Sequence, residues 1–102
     1  MGNVRYKSPQ QIAEEKARAE RERLDAITVS RFQAKAALLE AGLLDQVQEY
    51  IDGPDVPSLV KLAWQEAGFR RGSKMIKDIG SELGLTEEQM DNLFLQAQKI
   101  EV

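Results

Sequence analysis

The stretch Leu83-Gly84-Leu85-Thr86-Glu87-Glu88-Gln89-Met90-Asp91-Asn92-Leu93-Phe94-Leu95-Gln96-Ala97-Gln98-Lys99-Ile100 sets the pattern for most of the chain. Gly84 stands where a helix gives out, at the C′ position that favours a positive φ. The Thr86 hydroxyl can accept from the backbone three residues on, while the Gln89 amide reaches back, which makes a capping box. Glu87 and Glu88 oppose the positive end of the helix dipole. Met90, Leu93, Phe94, Ala97 and Ile100 then recur on one face with the helical period.

The same grammar repeats upstream. Ser73 caps a helix with Met75, Ile76, Ile79 and Leu83 inward. Its internal Gly80 costs about 1 kcal/mol against Ala, which a close helix crossing would explain. Pro57 opens a helix whose stripe is Leu59, Val60, Ala63, Trp64 and Ala67, closed by Gly68. Asp52-Gly53-Pro54 is a turn, because Pro54 bars Gly53 from the helical region. It ends a helix carrying Leu43, Leu44, Val47, Tyr50 and Ile51 on one side. Thr28 or Ser30 caps the helix from Arg31 to Ala41, with Phe32, Ala36 and Leu39 as the expected core face and Gly42 as the C′ residue. No segment alternates with period two, so no strands are expected. The predicted fold is all-α: a compact bundle of about five short helices over residues 28–102, preceded by a long charged N-terminal helix.

That helix belongs to an arm over residues 1–27. Ser8-Pro9-Gln10-Gln11 reads as a capped start with proline in the first turn. Glu14–Arg18, Lys16–Glu20, Arg18–Glu22 and Arg21–Asp25 are opposite charges four apart, each adding about 0.2–0.5 kcal/mol to a solvated helix. Ile12, Ala19 and Ala26 have heptad spacing, yet two of the three are alanines, too small to seal a stable two-stranded coil. An arm so poor in apolar surface is most simply explained if it docks elsewhere. Ile12, Ala19, Leu24 and Ile27 are its candidate partner contacts, with self-association through the arm as a further option.

The chain is 102 residues long, 42% hydrophobic and 30% charged, which suits one soluble domain. It has no Cys and no His. Disulfides, thiolate nucleophiles, Cys/His metal sites and imidazole acid–base chemistry are therefore out of reach, and no metal or cofactor is expected. P-loops, dinucleotide fingerprints and nucleophile elbows are missing too, so no enzymatic activity is expected. Neighbouring carboxylates such as Glu14/Glu15 and Glu87/Glu88 diverge by about 100° around a helix and share no site. No membrane span and no secretory signal are read in the chain.

Net charge is −3. Six cations and five acids fall in residues 1–27, leaving eight cations against twelve acids in the bundle. Such a balance argues against nucleic acid. The exception is Arg70-Arg71-Gly72-Ser73-Lys74 with Lys77 one turn on. It reads first as a solvated loop, then as a patch in which Arg70, Arg71 and Lys74 face an acidic partner, and last as a phosphate grip.

From Val29 onward the chain resembles a group of small proteins and protein C-termini encoded among the tail and tail-fibre genes of tailed bacteriophages and prophages. The matching segments are Ser30-Arg31-Phe32-Gln33-Ala34-Lys35-Ala36-Ala37-Leu38-Leu39, Ala41-Gly42-Leu43-Leu44-Asp45-Gln46-Val47, Leu62-Ala63-Trp64 followed by Phe69-Arg70-Arg71, and Leu83 to Phe94. The resemblance implies a virion tail component, located in the tail or in the host cytoplasm during assembly, with a larger tail or fibre protein as partner. A fibre-assembly chaperone absent from the virion and a small nucleic-acid-binding regulator are the alternatives. The group implies no catalytic or ligand residues. Two departures stand out: a polar residue and often a proline are expected after the double arginine, where this chain has Gly72-Ser73-Lys74, and the arm before Ile27 lies outside the resemblance.

Overall fold

A computed structural model describes residues 7–101; the first six residues of the arm, Arg5 among them, and Val102 lie outside the described residues. The order is α1 (Pro9–Asp25), β1 (Thr28–Val29), α2 (Arg31–Glu40), α3 (Leu44–Asp52), α4 (Ser58–Glu66), β2 (Phe69–Arg70), α5 (Lys74–Glu82) and α6 (Glu87–Ala97). Each boundary follows from local chemistry. Ser8, Ser30 and Thr86 accept from Gln11, Gln33 and Gln89 backbone amides, and each glutamine returns the bond. Ser73 caps α5 by accepting from Ile76. Gly42 and Gly84 take φ of 74° and 68°. There Leu43 N–H donates to Leu38 O and Leu85 N–H to Gly80 O, both at 2.8 Å, closing α2 and α5 as Schellman motifs.

The fold is all-α, with one departure from the expectation of no strands. β1 and β2 pair antiparallel, Thr28 opposite Arg70 and Val29 opposite Phe69. Two residues a side are too few to show any period in a sequence. The ladder continues past the strand: Arg71 N–H donates to Ile27 O at 2.9 Å and Gly72 N–H to Asp25 O at 3.0 Å. It thus ties the segment after α1 to the connection between α4 and α5.

Trp64 and Phe69 form the centre of the core, stacked at 5.2 Å between centroids. Val47, Ile51, Ile76, Ile79, Met90, Phe94 and Ala97 close around them. Trp64 Nε1 donates to Gln48 Oε1 at 3.0 Å, so the one polar atom of the indole is satisfied. Gly80 lies under Met90: a Cβ there would sit 3.0 Å from its sulfur, so the glycine makes room for the Met90 side chain of α6.

The expected core face of α2 is corrected. Phe32 is 49% exposed and Leu39 66%, while Ala37 is buried with Ala34 and Leu38 packed beside it. The small residues face inward because α2 lies close along α6, where larger side chains would not fit. On α4, Leu59 likewise points out, 77% exposed, although it belonged to the predicted stripe.

Candidate functional site

α1 departs from the bundle as a projection. Every residue from Pro9 to Glu20 is exposed, a length of about 18 Å at 1.5 Å per residue. The molecule accordingly measures 64 × 31 × 22 Å. Of the four predicted ion pairs four residues apart, Arg21–Asp25 forms at 2.8 Å. The other three spacings carry none among the described residues, and Lys7 instead reaches Glu15 at 2.6 Å.

The last turn of α1 is held by charge. Arg21 forks onto Asp91 of α6, with NH2 2.7 Å from Oδ1 and NH1 3.0 Å from Oδ2. The same Oδ1 accepts from Arg71 Nε at 2.9 Å, and Arg71 NH2 donates to Glu87 Oε2 at 3.0 Å. One carboxylate therefore joins an arginine of the arm to an arginine of the bundle. Hydrogen bonding from Arg21 draws the Asp91 carboxyl below the usual range; desolvation opposes this, and the charges of Arg71 and Arg21 reinforce it. The Arg21 guanidinium is shifted upward, first by its hydrogen bond to Asp91 and then, against desolvation, by Asp25. Backbone links add to the clamp, since Asp25 O accepts from Gly72 N–H and from Arg70 NH1.

This arrangement redistributes the residues singled out as partner contacts. Ile12, 41% exposed, and Ala19 lie on the free part of α1. Leu24 is half-buried at its base. Ile27 lies past the helix end and packs against the bundle's own core, so it is corrected from arm contact to anchor. Arg71 is corrected as well: at 1% exposure it is the bundle's buried cation and presents nothing to a partner. Arg70 stays exposed but gives a donor to Asp25 O, and Lys74 is exposed with its ammonium 2.6 Å from Asp78, which raises its pKa. The basic cluster therefore does not converge, and the phosphate grip loses its central residue.

Gly72 lies against the last turn of α1. A Cβ at Gly72 would lie 2.8 Å from Asp25 Cβ and 3.0 Å from its carbonyl oxygen. A side chain there would force the base of the arm to shift.

Asp91 was missed in the sequence reading, although a signal was present. Glu87 and Asp91 are four apart on α6, flanking Met90 and Phe94. Two acids on one helix face beside core positions invite a cation, and Arg71 is the one that arrives. No group of three or more Asp or Glu among the described residues is placed to hold a metal ion. No helix among the described residues is long and apolar enough to cross a membrane. A space of about 40 Å³ is lined by apolar side chains such as Val29, Leu38, Ile76 and Leu93. No family model, curated protein or solved structure matches the chain.

Proposed function

We propose that the chain is a non-enzymatic structural or assembly component of a bacteriophage tail, at the tail tip, baseplate or fibre attachment, held by a larger tail protein through α1. The observation that carries the binding half of this reading is the free stretch Pro9–Glu20, exposed on every side yet built as a capped helix. A helix standing alone in water is marginal at this length, and its packing surface has to come from another molecule. The clamp at Arg21, Asp91 and Arg71 fixes the direction in which it projects. The tail half rests on the resemblance of the segments from Ser30 to Phe94.

Mass spectrometry of purified particles of the phage or prophage that carries the gene tests both halves. The chain is expected in fixed ratio to the tail proteins. Ile12→Glu with Ala19→Glu is expected to remove it from the particle while the circular dichroism of the purified protein stays helical. A chain absent from finished particles would transfer the reading to the assembly chaperone. Unchanged incorporation of the double variant would overturn the role of the arm.

A further inference from the structure

The bundle leaves four large apolar side chains exposed, and all four lie on two neighbouring helices. Phe32 is 49% exposed and Leu39 66% on α2; Leu59 is 77% and Leu62 55% on α4. Phe32 and Leu39 are seven apart and share one outward stripe; Leu59 and Leu62, three apart, share another. The two helices are in contact. Arg31 NH1 holds Gln65 O at 2.6 Å, and Lys35 Nζ lies 5.0 Å over the Trp64 ring, so the N-terminal half of α2 is fastened to the end of α4. Exposed apolar side chains of this size on two adjoining helices offer an interaction surface.

Charge says what fits there. The bundle has eight cations against twelve acids, yet Arg31, Lys35 and Lys61 border this face. Among the described residues no carboxylate lies within ion-pair distance of Lys35 or Lys61; Lys61 gives its ammonium to Asp52 O at 3.4 Å. Two acids also lie at this border: Glu66, 3.4 Å from Arg31, and the exposed Glu40 after Leu39. We propose that the α2–α4 face docks an acidic amphipathic helix of a partner protein, its leucine-type residues on Phe32, Leu39, Leu59 and Leu62 and its carboxylates on Lys35 and Lys61. A second copy of the chain does not supply such a helix. Its own acidic amphipathic helices are α3 and α6, whose Val47, Ile51, Met90 and Phe94 are already buried, and the charges of α1 are mixed in sign. This face is separate from α1, so the proposal stands whether or not the tail reading does.

The probe is a pair of synthetic helical peptides with the same leucine face, one flanked by glutamates and one by lysines, titrated into the ¹⁵N-labelled full chain. The glutamate peptide is expected to shift amide signals of α2 and α4 and to bind at least tenfold more tightly than the lysine peptide. Leu59→Ser with Leu62→Ser, both exposed and so compatible with folding, is expected to weaken it at least tenfold. Lys35→Glu with Lys61→Glu is expected to invert the preference between the peptides. Equal affinity for the two peptides, no binding of either, or shifts confined to other elements would overturn the proposal. So would a concentration-dependent dimer that the Leu59→Ser, Leu62→Ser variant abolishes, which would assign the face to a second copy.

Discussion

Arg71 and Asp91 meet at 2.9 Å, with the guanidinium 1% exposed and the carboxylate side chain 16%. Neither is at home in an apolar interior alone, since a charge removed from water costs several kcal/mol unless paired. The pair is completed from outside the bundle, by Arg21 forked across both oxygens of the same carboxylate. The arm's attachment and the satisfaction of a buried cation are therefore one structural fact.

Asp91→Asn should be the most damaging substitution at the clamp. It removes the counter-charge of two arginines and leaves Arg71 with the exposed Glu87 alone. Breaking a buried pair in this way costs about 3–5 kcal/mol. Arg21→Ala, at a side chain 34% exposed, should cost about 1 kcal/mol. Urea denaturation of the two variants checks the ratio.

The two glycines with close neighbours should respond differently to alanine. Gly72→Ala drives a methyl into Asp25 Cβ and its carbonyl, rigid atoms that give only if the arm base moves, so a loss of about 1–3 kcal/mol is expected. Gly80→Ala meets the flexible end of Met90, and the gain of about 1 kcal/mol in helix propensity should nearly cancel the repacking. Thermal melts of the pair separate the cases.

Acid should weaken the clamp. The Asp91 pKa is depressed in the folded state, so the folded chain binds its proton less readily than the unfolded one. The stability this contributes is fully present above the unfolded carboxylate value of about 3.9 and fades as pH falls from there through the lower folded value. The gap in denaturation midpoint between the wild-type chain and Asp91→Asn should stay constant between pH 5 and 8, then close on acidification. Parallel curves down to pH 2 would show that Asp91 does not titrate in this way.

Trp64 anchors the core through its stack on Phe69 and its bond to Gln48. Trp64→Ala should cost about 3–5 kcal/mol, enough to threaten a domain of this size. Gln48→Ala leaves the indole N–H without its partner and should cost about 1–2 kcal/mol. Chemical denaturation followed by circular dichroism reads both.

What could be read from the sequence was governed by range. Caps and stops are local, so Ser8, Ser30, Ser73, Thr86, Gly42 and Gly84 all stand where the residue types place them. Faces depend on what packs opposite. α5 and α6 presented their large apolar residues to the core, but α2 turned alanines inward to lie against α6, a choice Phe32 and Leu39 alone do not reveal. The clamp was the least legible part. Arg71 looked like one of several loop cations, and its burial depends on Asp91, twenty residues on, and on Arg21, fifty residues back.

The account rests on the arm being a fixed projection of the bundle, held by Asp91. Because the chain has no cysteine, Gln10→Cys with Gln98→Cys takes two spin labels cleanly, and pulsed electron resonance reads the distance between the arm and the end of α6. A single narrow distribution that broadens in the Asp91→Asn background is the predicted result. An equally broad distribution with and without Asp91 would contradict the account.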